Sequence, residues 1–138
     1  MIASPVVLAS AIITILAIVL YFYTTVNVAR MRHKHGVHAP ASSGHAEFDC
    51  AFRVQMNTLE HLPVFLPLLW LATLYFSPYP LAAPALGVVW IIGRALYLDG
   101  YMKAPEKRGL GFGISSLAEV LLLVLALVGV VMAWMTVA

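Results

Sequence analysis

The sequence predicts an all-α integral membrane protein with four transmembrane helices. Hydrophobic residues make up 62% of the chain and charged residues only 10%, and the apolar residues fall into long runs between short polar segments. Soluble domains hold about half apolar and about a quarter charged residues. A soluble domain of 138 residues could not bury this excess. We therefore expect a single membrane domain over residues 1–138.

The first apolar run, residues 5–28, carries no charged side chain. As a helix it would be about 36 Å long, enough to cross a hydrocarbon core of about 30 Å. Arg30 and Arg32 follow it, which predicts a helix over about 5–31. The run is too long for a cleaved signal peptide and lacks a basic segment before it, so we interpret it as a retained first helix.

Residues 33–46 form a polar segment with Gly, Pro and Ser and four histidines, at positions 33, 35, 38 and 45. The spacing H-x-H-x-x-H does not match a tetrahedral zinc site, and the segment contains no cysteine. We therefore favour a solvated loop and predict no metal. Cys50 is the only cysteine, so an intrachain disulfide is excluded.

The second helix is predicted over about 47–76. Its purely apolar part, 62–76, is only about 22 Å long, so the helix must carry the preceding polar residues into the membrane or its interface. Arg53, Asn57 and Glu60 are spaced i, i+4, i+7 and share one face, which we call the polar stripe. Pro63 and Pro67 each remove a backbone hydrogen bond and predict either a kink that opens room beside the stripe or a simple bend.

The third and fourth helices are predicted over about 81–102 and 110–137. A turn at 77–80 precedes the third helix, and a short basic segment, 103–109, follows it. The basic residues after the first and third helices predict that both of these loops face the cytoplasm and both termini face the opposite side. The chain has no disordered basic tail, which argues against nucleic acid as a partner.

Four charged residues fall within the predicted spans: Arg53, Glu60, Arg94 and Glu119. Unpaired, each would cost about 2.5–3.5 kcal/mol at a span centre, or about 10 kcal/mol together. Arg94 and Glu119 lie at a similar depth of about 12–14 Å, so we predict that they form a structural ion pair.

The polar stripe is left in need of another partner. Together with Tyr97, Tyr101 and Arg108 it offers cations, a carboxylate, an amide and two phenols. This set suits a small zwitterionic ligand with more than one carboxylate. A purely structural polar network is the alternative.

Residues 48–60, with Pro63 after them, resemble the signature of the MAPEG superfamily (membrane-associated proteins in eicosanoid and glutathione metabolism). Residues 89–101 resemble the third-helix motif of that family, and residues 106–109 resemble the basic turn that follows it. Within the family the chain is most similar to the microsomal glutathione transferases of type 3, with type 2 and leukotriene C4 synthase further off.

The resemblance implies a homotrimer of four-helix protomers that binds glutathione between subunits near the cytoplasmic face. One subunit would bind glutathione through Arg53, Asn57, Glu60, Tyr97 and Tyr101. The neighbouring subunit would contribute Gln55 and Arg32. Arg108 matches the catalytic arginine that stabilises the thiolate. His61 stands where several relatives have a tyrosine that contacts glutathione, and a histidine can still donate a hydrogen bond.

The function implied is conjugation of glutathione, as co-substrate, to lipophilic electrophiles that enter from the lipid. Reduction of lipid hydroperoxides and a leukotriene C4 synthase-like reaction are implied as side activities. Two alternatives are a non-catalytic lipid-binding family member and a small four-helix exporter that uses Glu119. The short loops favour a bacterial inner membrane over a eukaryotic microsomal one.

Overall fold

The computed structural model describes residues 4–137, in which four long helices form one bundle. They are α1 (Pro5–His35), α2 (Ala46–Tyr75), α3 (Ala82–Lys103) and α4 (Gly109–Val137), with a 3-10 helix, Pro105–Arg108, before α4. Each of the four is long and apolar enough to cross a membrane. The predicted all-α membrane class is therefore confirmed, and the protein is a multi-pass membrane protein. Residues 1–3 and 138 of the predicted domain lie outside the described residues.

The first helix is longer than predicted. It begins after Ser4, whose side chain accepts a hydrogen bond from the Val7 amide at 3.3 Å. It ends at Gly36, which adopts the left-handed conformation (φ 64°) and donates its amide to the carbonyl of Arg32. Glycine takes this conformation without steric strain and therefore caps the helix directly after His35. The sequence predicted an end near residue 31. Basic residues in this last turn also favour its negative end.

The second helix runs without interruption through both of its prolines. A proline removes one backbone hydrogen bond, and a long helix packed against neighbours tolerates that loss. Pro63 and Pro67 are both exposed on the surface of the protomer. The predicted second helix is thus present as one element, beginning one residue earlier than expected, at Ala46.

The core of the bundle is built around a stacked aromatic pair. The rings of Phe65 on α2 and Trp90 on α3 lie 3.9 Å apart, centroid to centroid, with an interplanar angle of 3°. Leu69 and Leu122 are fully buried beside them. The opposite faces of the helices carry many exposed Leu, Ile and Val side chains, as expected for surfaces that meet lipid tails.

Helices α3 and α4 approach each other closely through glycines. A Cβ atom at Gly111 would lie 2.1 Å from the backbone nitrogen of Tyr97, and one at Gly93 would lie 2.7 Å from that of Ser115. Small residues at such positions let two membrane helices bring their backbones together. This contact fixes where Tyr97 stands relative to the start of α4.

Candidate functional site

A pocket of about 280 Å³ lies where α2, α3, the 3-10 helix and the start of α4 meet. Its lining residues come from all four elements: Arg53, Asn57, Tyr97, Arg108, Gly109 and Phe112. The first four were predicted from the sequence as site residues. The two that lie on α2, Arg53 and Asn57, come before the prolines. The pocket therefore forms where α2 meets the 3-10 helix and α4, and not at a proline kink.

One side of the pocket is basic and aromatic. Arg108 ends the 3-10 helix, and its Nη1 donates to the hydroxyl of Tyr101 at 3.3 Å. The guanidinium also lies 5.5 Å from the centre of the Tyr101 ring, within the range of a cation–π contact. The rings of Tyr97 and Tyr101 meet edge to face at 5.5 Å. Tyr101 therefore orients Arg108, and within residues 4–137 the guanidinium makes no other side-chain hydrogen bond.

The polar stripe forms the second side. Asn57 Nδ2 donates to Glu60 Oε2 at 3.3 Å, and Arg53 Nη1 lies 3.9 Å from Glu60 Oε1. At this distance the contact between the Arg53 and Glu60 charges is weak. Their side chains are 58% and 51% exposed in the protomer. Charged groups this exposed on a membrane helix call for cover by a ligand, a partner chain or the interface.

Arg94 lies behind the pocket and is only 1% exposed. Its Nη1 donates to Asn57 Oδ1 at 2.8 Å, and its guanidinium faces the rings of Trp90 and Tyr97 at 5.5 and 5.2 Å. Because Arg94 can only donate, this bond holds the Asn57 amide with its oxygen inward and its NH₂ group toward Glu60. Arg94 Nε and Nη2 have no hydrogen-bond partner among residues 4–137.

The predicted ion pair between Arg94 and Glu119 is wrong. Glu119 instead lies 2.9 Å from Nδ1 of His61 and accepts a 2.7 Å hydrogen bond from Trp90 Nε1. Trp90 stands between the two charges, with its ring facing Arg94 and its N–H bonded to Glu119. Equal depth in the membrane did not fix the pairing, because it says nothing about the direction in which each side chain leaves its helix.

Five predicted ligand residues do not line this pocket. Glu60 and Tyr101 hydrogen-bond to Asn57 and Arg108, which do. The other three are His61, Gln55 and Arg32. The His61 ring meets the ring of Phe112 edge to face at 5.7 Å, on the side of Glu119. Gln55 Nε2 donates to Thr25 Oγ1 on α1 at 3.0 Å. Arg32 Nη1 donates to the carbonyl of Ala41 at 2.7 Å. Since Gln55 and Arg32 were expected to serve a neighbouring subunit, that role stays a prediction.

Sequence reasoning missed Phe112, Gly109 and Trp90. Gly109 and Phe112 belong to the segment Gly-Leu-Gly-Phe-Gly after the basic turn, where repeated glycines signal a close backbone approach. Trp90 carries an indole N–H, which needs a hydrogen-bond acceptor when it is buried, and the Glu119 carboxylate is that acceptor.

The histidine-rich loop ties the end of α1 to the start of α2. The rings of His35 and His45 stack at 3.5 Å, and Glu47 contacts Lys34 at 2.5 Å and His35 at 2.9 Å. Among residues 4–137, no three His, Cys, Asp or Glu side chains are grouped so that they could hold a metal ion. The expectation that the protein needs no metal stays a prediction.

Comparison with known proteins decides the family. The model of the MAPEG family matches residues 10–128, which is most of the chain. The chain belongs to the MAPEG family. The resemblance drawn from residues 48–60 and 89–101 is therefore confirmed.

Several relatives of this MAPEG protein match it over most of their length. It is 48% identical over 120 residues to an uncharacterised protein of Synechocystis, covering 87% of this chain and 86% of the relative. It is 44% identical over 108 residues to microsomal glutathione S-transferase 2 of Mus musculus (78% and 72% covered). It is 36% identical over 119 residues to leukotriene C4 synthase of Cavia porcellus (86% and 78% covered). The expected preference for the type 3 branch stays a prediction.

Proposed function

We propose that this MAPEG protein is a membrane-bound glutathione transferase that conjugates glutathione to lipophilic electrophiles. Relatives named glutathione S-transferase and leukotriene C4 synthase support a reaction that uses glutathione. The observation that carries the proposal is the single pocket shared by Arg53, Asn57, Tyr97 and Arg108. These residues bring two guanidinium groups, an amide and a phenol from α2, α3 and the 3-10 helix to one cavity.

The pocket suits the functional groups of glutathione. Glutathione carries two carboxylates, an ammonium group, two amides and a thiol. Arginine guanidinium groups bind carboxylates through paired hydrogen bonds, so Arg53 is assigned to a carboxylate. Glu60 is assigned to the ammonium group and Asn57 to an amide. Tyr97 and Tyr101 complete the binding set.

A second copy of the chain is expected to complete the site. One protomer encloses about 280 Å³, slightly below the range of about 300–1,000 Å³ that is usual for small-molecule pockets. Arg53 and Glu60 also remain more than half exposed on a membrane helix. A neighbouring subunit of a homotrimer would cover both and would bring Gln55 and Arg32 to the ligand.

Arg108 is assigned the chemistry. The thiolate rather than the thiol attacks an electrophile, and lowering a thiol pKa of about 8.5 by two units requires about 2.7 kcal/mol. A hydrogen bond to a charged group contributes about 1.5–3 kcal/mol, so one guanidinium suffices. The start of α4 at Gly109 also lines the pocket, and the positive end of a helix favours an anion there. No metal is needed for this step.

The electrophile is proposed to enter from the lipid. Phe112 gives the pocket an apolar wall and is itself exposed at the protomer surface. A hydrophobic substrate that partitions into the bilayer can approach this wall laterally. Lipid hydroperoxide reduction and a leukotriene C4 synthase-like reaction would use the same thiolate and are proposed as side activities.

The test compares Arg108→Ala with Lys107→Ala in the purified protein. Both variants remove one positive charge from the same 3-10 helix, but only Arg108 lines the pocket. With glutathione and 1-chloro-2,4-dinitrobenzene, Arg108→Ala should lower kcat about 10- to 100-fold, the loss of one charge-assisted hydrogen bond. Its glutathione affinity should fall much less. Lys107→Ala should behave like the unaltered protein.

Equal turnover in the Arg108 and Lys107 variants would contradict the assignment of Arg108. Absence of glutathione turnover in the unaltered protein would favour the non-catalytic alternative. The exporter alternative gains no support from the geometry, because Glu119 is held by His61 and Trp90 rather than free to exchange a proton with a substrate.

The orientation and the membrane are further parts of the proposal. The basic last turn of α1 and the basic 3-10 helix after α3 are assigned to the cytoplasmic side, with both termini opposite. A bacterial inner membrane is favoured, in line with the relative from Synechocystis. Reporter fusions at the two termini and in the loop at 36–45 would test the orientation.

A further inference from the structure

His61 and Glu119 form a pair whose hydrogen position follows from chemistry. Nδ1 of His61 lies 2.9 Å from both carboxylate oxygens of Glu119, and Trp90 Nε1 donates to Oε1 at 2.7 Å. An ionised carboxylate only accepts hydrogen bonds. Nδ1 must therefore carry a hydrogen.

The charges around the pair favour a neutral imidazole. The side chains of His61 and Glu119 are only 19% and 10% exposed. Trp90 contacts one positive group, the Arg94 guanidinium at 5.5 Å from its ring, and one negative group, the Glu119 carboxylate. These two charges already balance each other. A second proton on His61 would leave a net positive charge within a membrane span, which is costly. Glu60 does not supply a balancing charge, because its partner is Arg53.

The second ring nitrogen of His61 is left available. Every hydrogen bond that His61 makes within residues 4–137 uses Nδ1. In this range the fully buried polar atoms without a hydrogen-bond partner belong to Arg94 and Ser116. Nε2 of His61 also has no partner but is not among these atoms, so it is in part exposed at the protomer surface. The His61 ring contacts Phe112, which lines the pocket. The His61 ring therefore lies one side chain away from the candidate site.

We propose that Glu119 is a positioning residue that fixes His61 as the neutral Nδ1–H tautomer, so that Nε2 accepts a hydrogen bond from an N–H or S–H group of bound glutathione. The identity of this ligand rests on the proposed function. A tyrosine at this position, as the family resemblance implies for several relatives, could donate through its hydroxyl. His61 held by Glu119 offers only an acceptor, so it would contact a different group of the ligand.

The tautomer is measured by nitrogen-15 NMR of histidine-labelled full-length protein in lipid nanodiscs, without ligand. His61 should give a protonated Nδ1 signal and an unprotonated Nε2 signal, and His61→Gln identifies these signals by their loss. If that variant does not fold, replacing His33, His35, His38 and His45 leaves His61 as the only histidine. A proton on Nε2, or on both nitrogens, would overturn the inference.

Glu119→Gln tests the positioning role, with Ser116→Ala on the same helix as the control. The glutamine amide can donate to Nδ1 as well as accept from it, so both tautomers of His61 should appear. The KM for glutathione should rise roughly two- to tenfold, as expected for one hydrogen bond, while kcat changes less. Ser116→Ala should match the unaltered protein. A lower thermal stability with an unchanged tautomer and KM would show a merely structural role and refute the proposal.

Reduced glutathione added to the unaltered protein should shift the Nε2 signal of His61. Binding without that shift would exclude the ligand contact. If glutathione does not bind at all, the proposed function fails and the contact fails with it. The tautomer in the ligand-free protein then still decides whether Glu119 positions His61.

Discussion

The close approach of α3 and α4 makes Gly111 the position where a single methyl group should be most harmful. A Cβ atom there would lie 2.1 Å from the backbone nitrogen of Tyr97 and 2.6 Å from the carbonyl oxygen of Gly93. Ordinary contacts of a Cβ atom begin near 3.4 Å, so the two helices would have to separate by more than 1 Å. Because the atoms in the way are backbone, no side-chain rotation can relieve the clash.

The expected cost of Gly111→Ala follows from this geometry. Overpacking typically destabilises a core by about 1–3 kcal/mol, and a backbone clash belongs at or above the upper end. The helix propensity of alanine returns at most about 1 kcal/mol. A net loss of about 2–3 kcal/mol should lower the unfolding midpoint by roughly 10 °C for a chain of this size. Turnover should fall as well, since the displaced residue, Tyr97, lines the pocket.

Gly113→Ala is the matched control. It changes the same residue type on the same helix, and its Cβ atom would meet nothing within 4 Å. It should leave activity unchanged and raise stability by up to about 1 kcal/mol. Thermal unfolding in detergent, followed by circular dichroism, measures both variants. If Gly111→Ala unfolded at or above the midpoint of Gly113→Ala, the close approach of α3 and α4 would be wrong.

Three further substitutions test the polar network. Arg94→Met should lower the free energy of unfolding by about 3–5 kcal/mol in chemical unfolding, because it leaves Glu119 without a balancing charge. The double variant with Glu119→Gln should recover part of that loss. If it recovers none, Arg94 and Glu119 are not energetically coupled. Asp99→Asn should change the unfolding free energy by at most about 0.5 kcal/mol, since its contact with Lys103 is an exposed pair within one helix, and a larger loss would contradict that exposure. Glu60→Gln should weaken glutathione binding about tenfold in calorimetry if Glu60 holds the ammonium group, and unchanged affinity would remove that assignment.

Length and polarity patterns were enough to predict the four long helices, though not the 3-10 helix Pro105–Arg108. Each of the four helices was predicted because an apolar run of sufficient length between polar segments has few other solutions in a membrane. The end of α1 was missed by several residues. Its last turn is polar, and only the left-handed cap at Gly36 shows where the helix stops.

Spacing along single helices also predicted much of the pocket. Arg53 and Asn57 share a face of α2, and a helix preserves that relation whatever surrounds it. The spacing did not predict which atoms face each other across helices. Arg94 donates to Asn57 rather than pairing with Glu119, and Trp90 contacts both Arg94 and Glu119. Such contacts depend on helix rotation, which the sequence leaves undetermined.

The sequence by itself determined the membrane class, the four spans and the polar stripe of Arg53, Asn57 and Glu60. These follow from the cost of exposing polar groups to lipid and from the periodicity of the helix. The tertiary structure decided that Arg108 and Phe112 join Tyr97 in one pocket and that Glu119 belongs to His61. The first relation depends on how closely α3 and α4 approach, and that distance is set by glycines whose missing side chains matter only once the helices are packed. The second depends on which faces α2 and α4 turn toward each other.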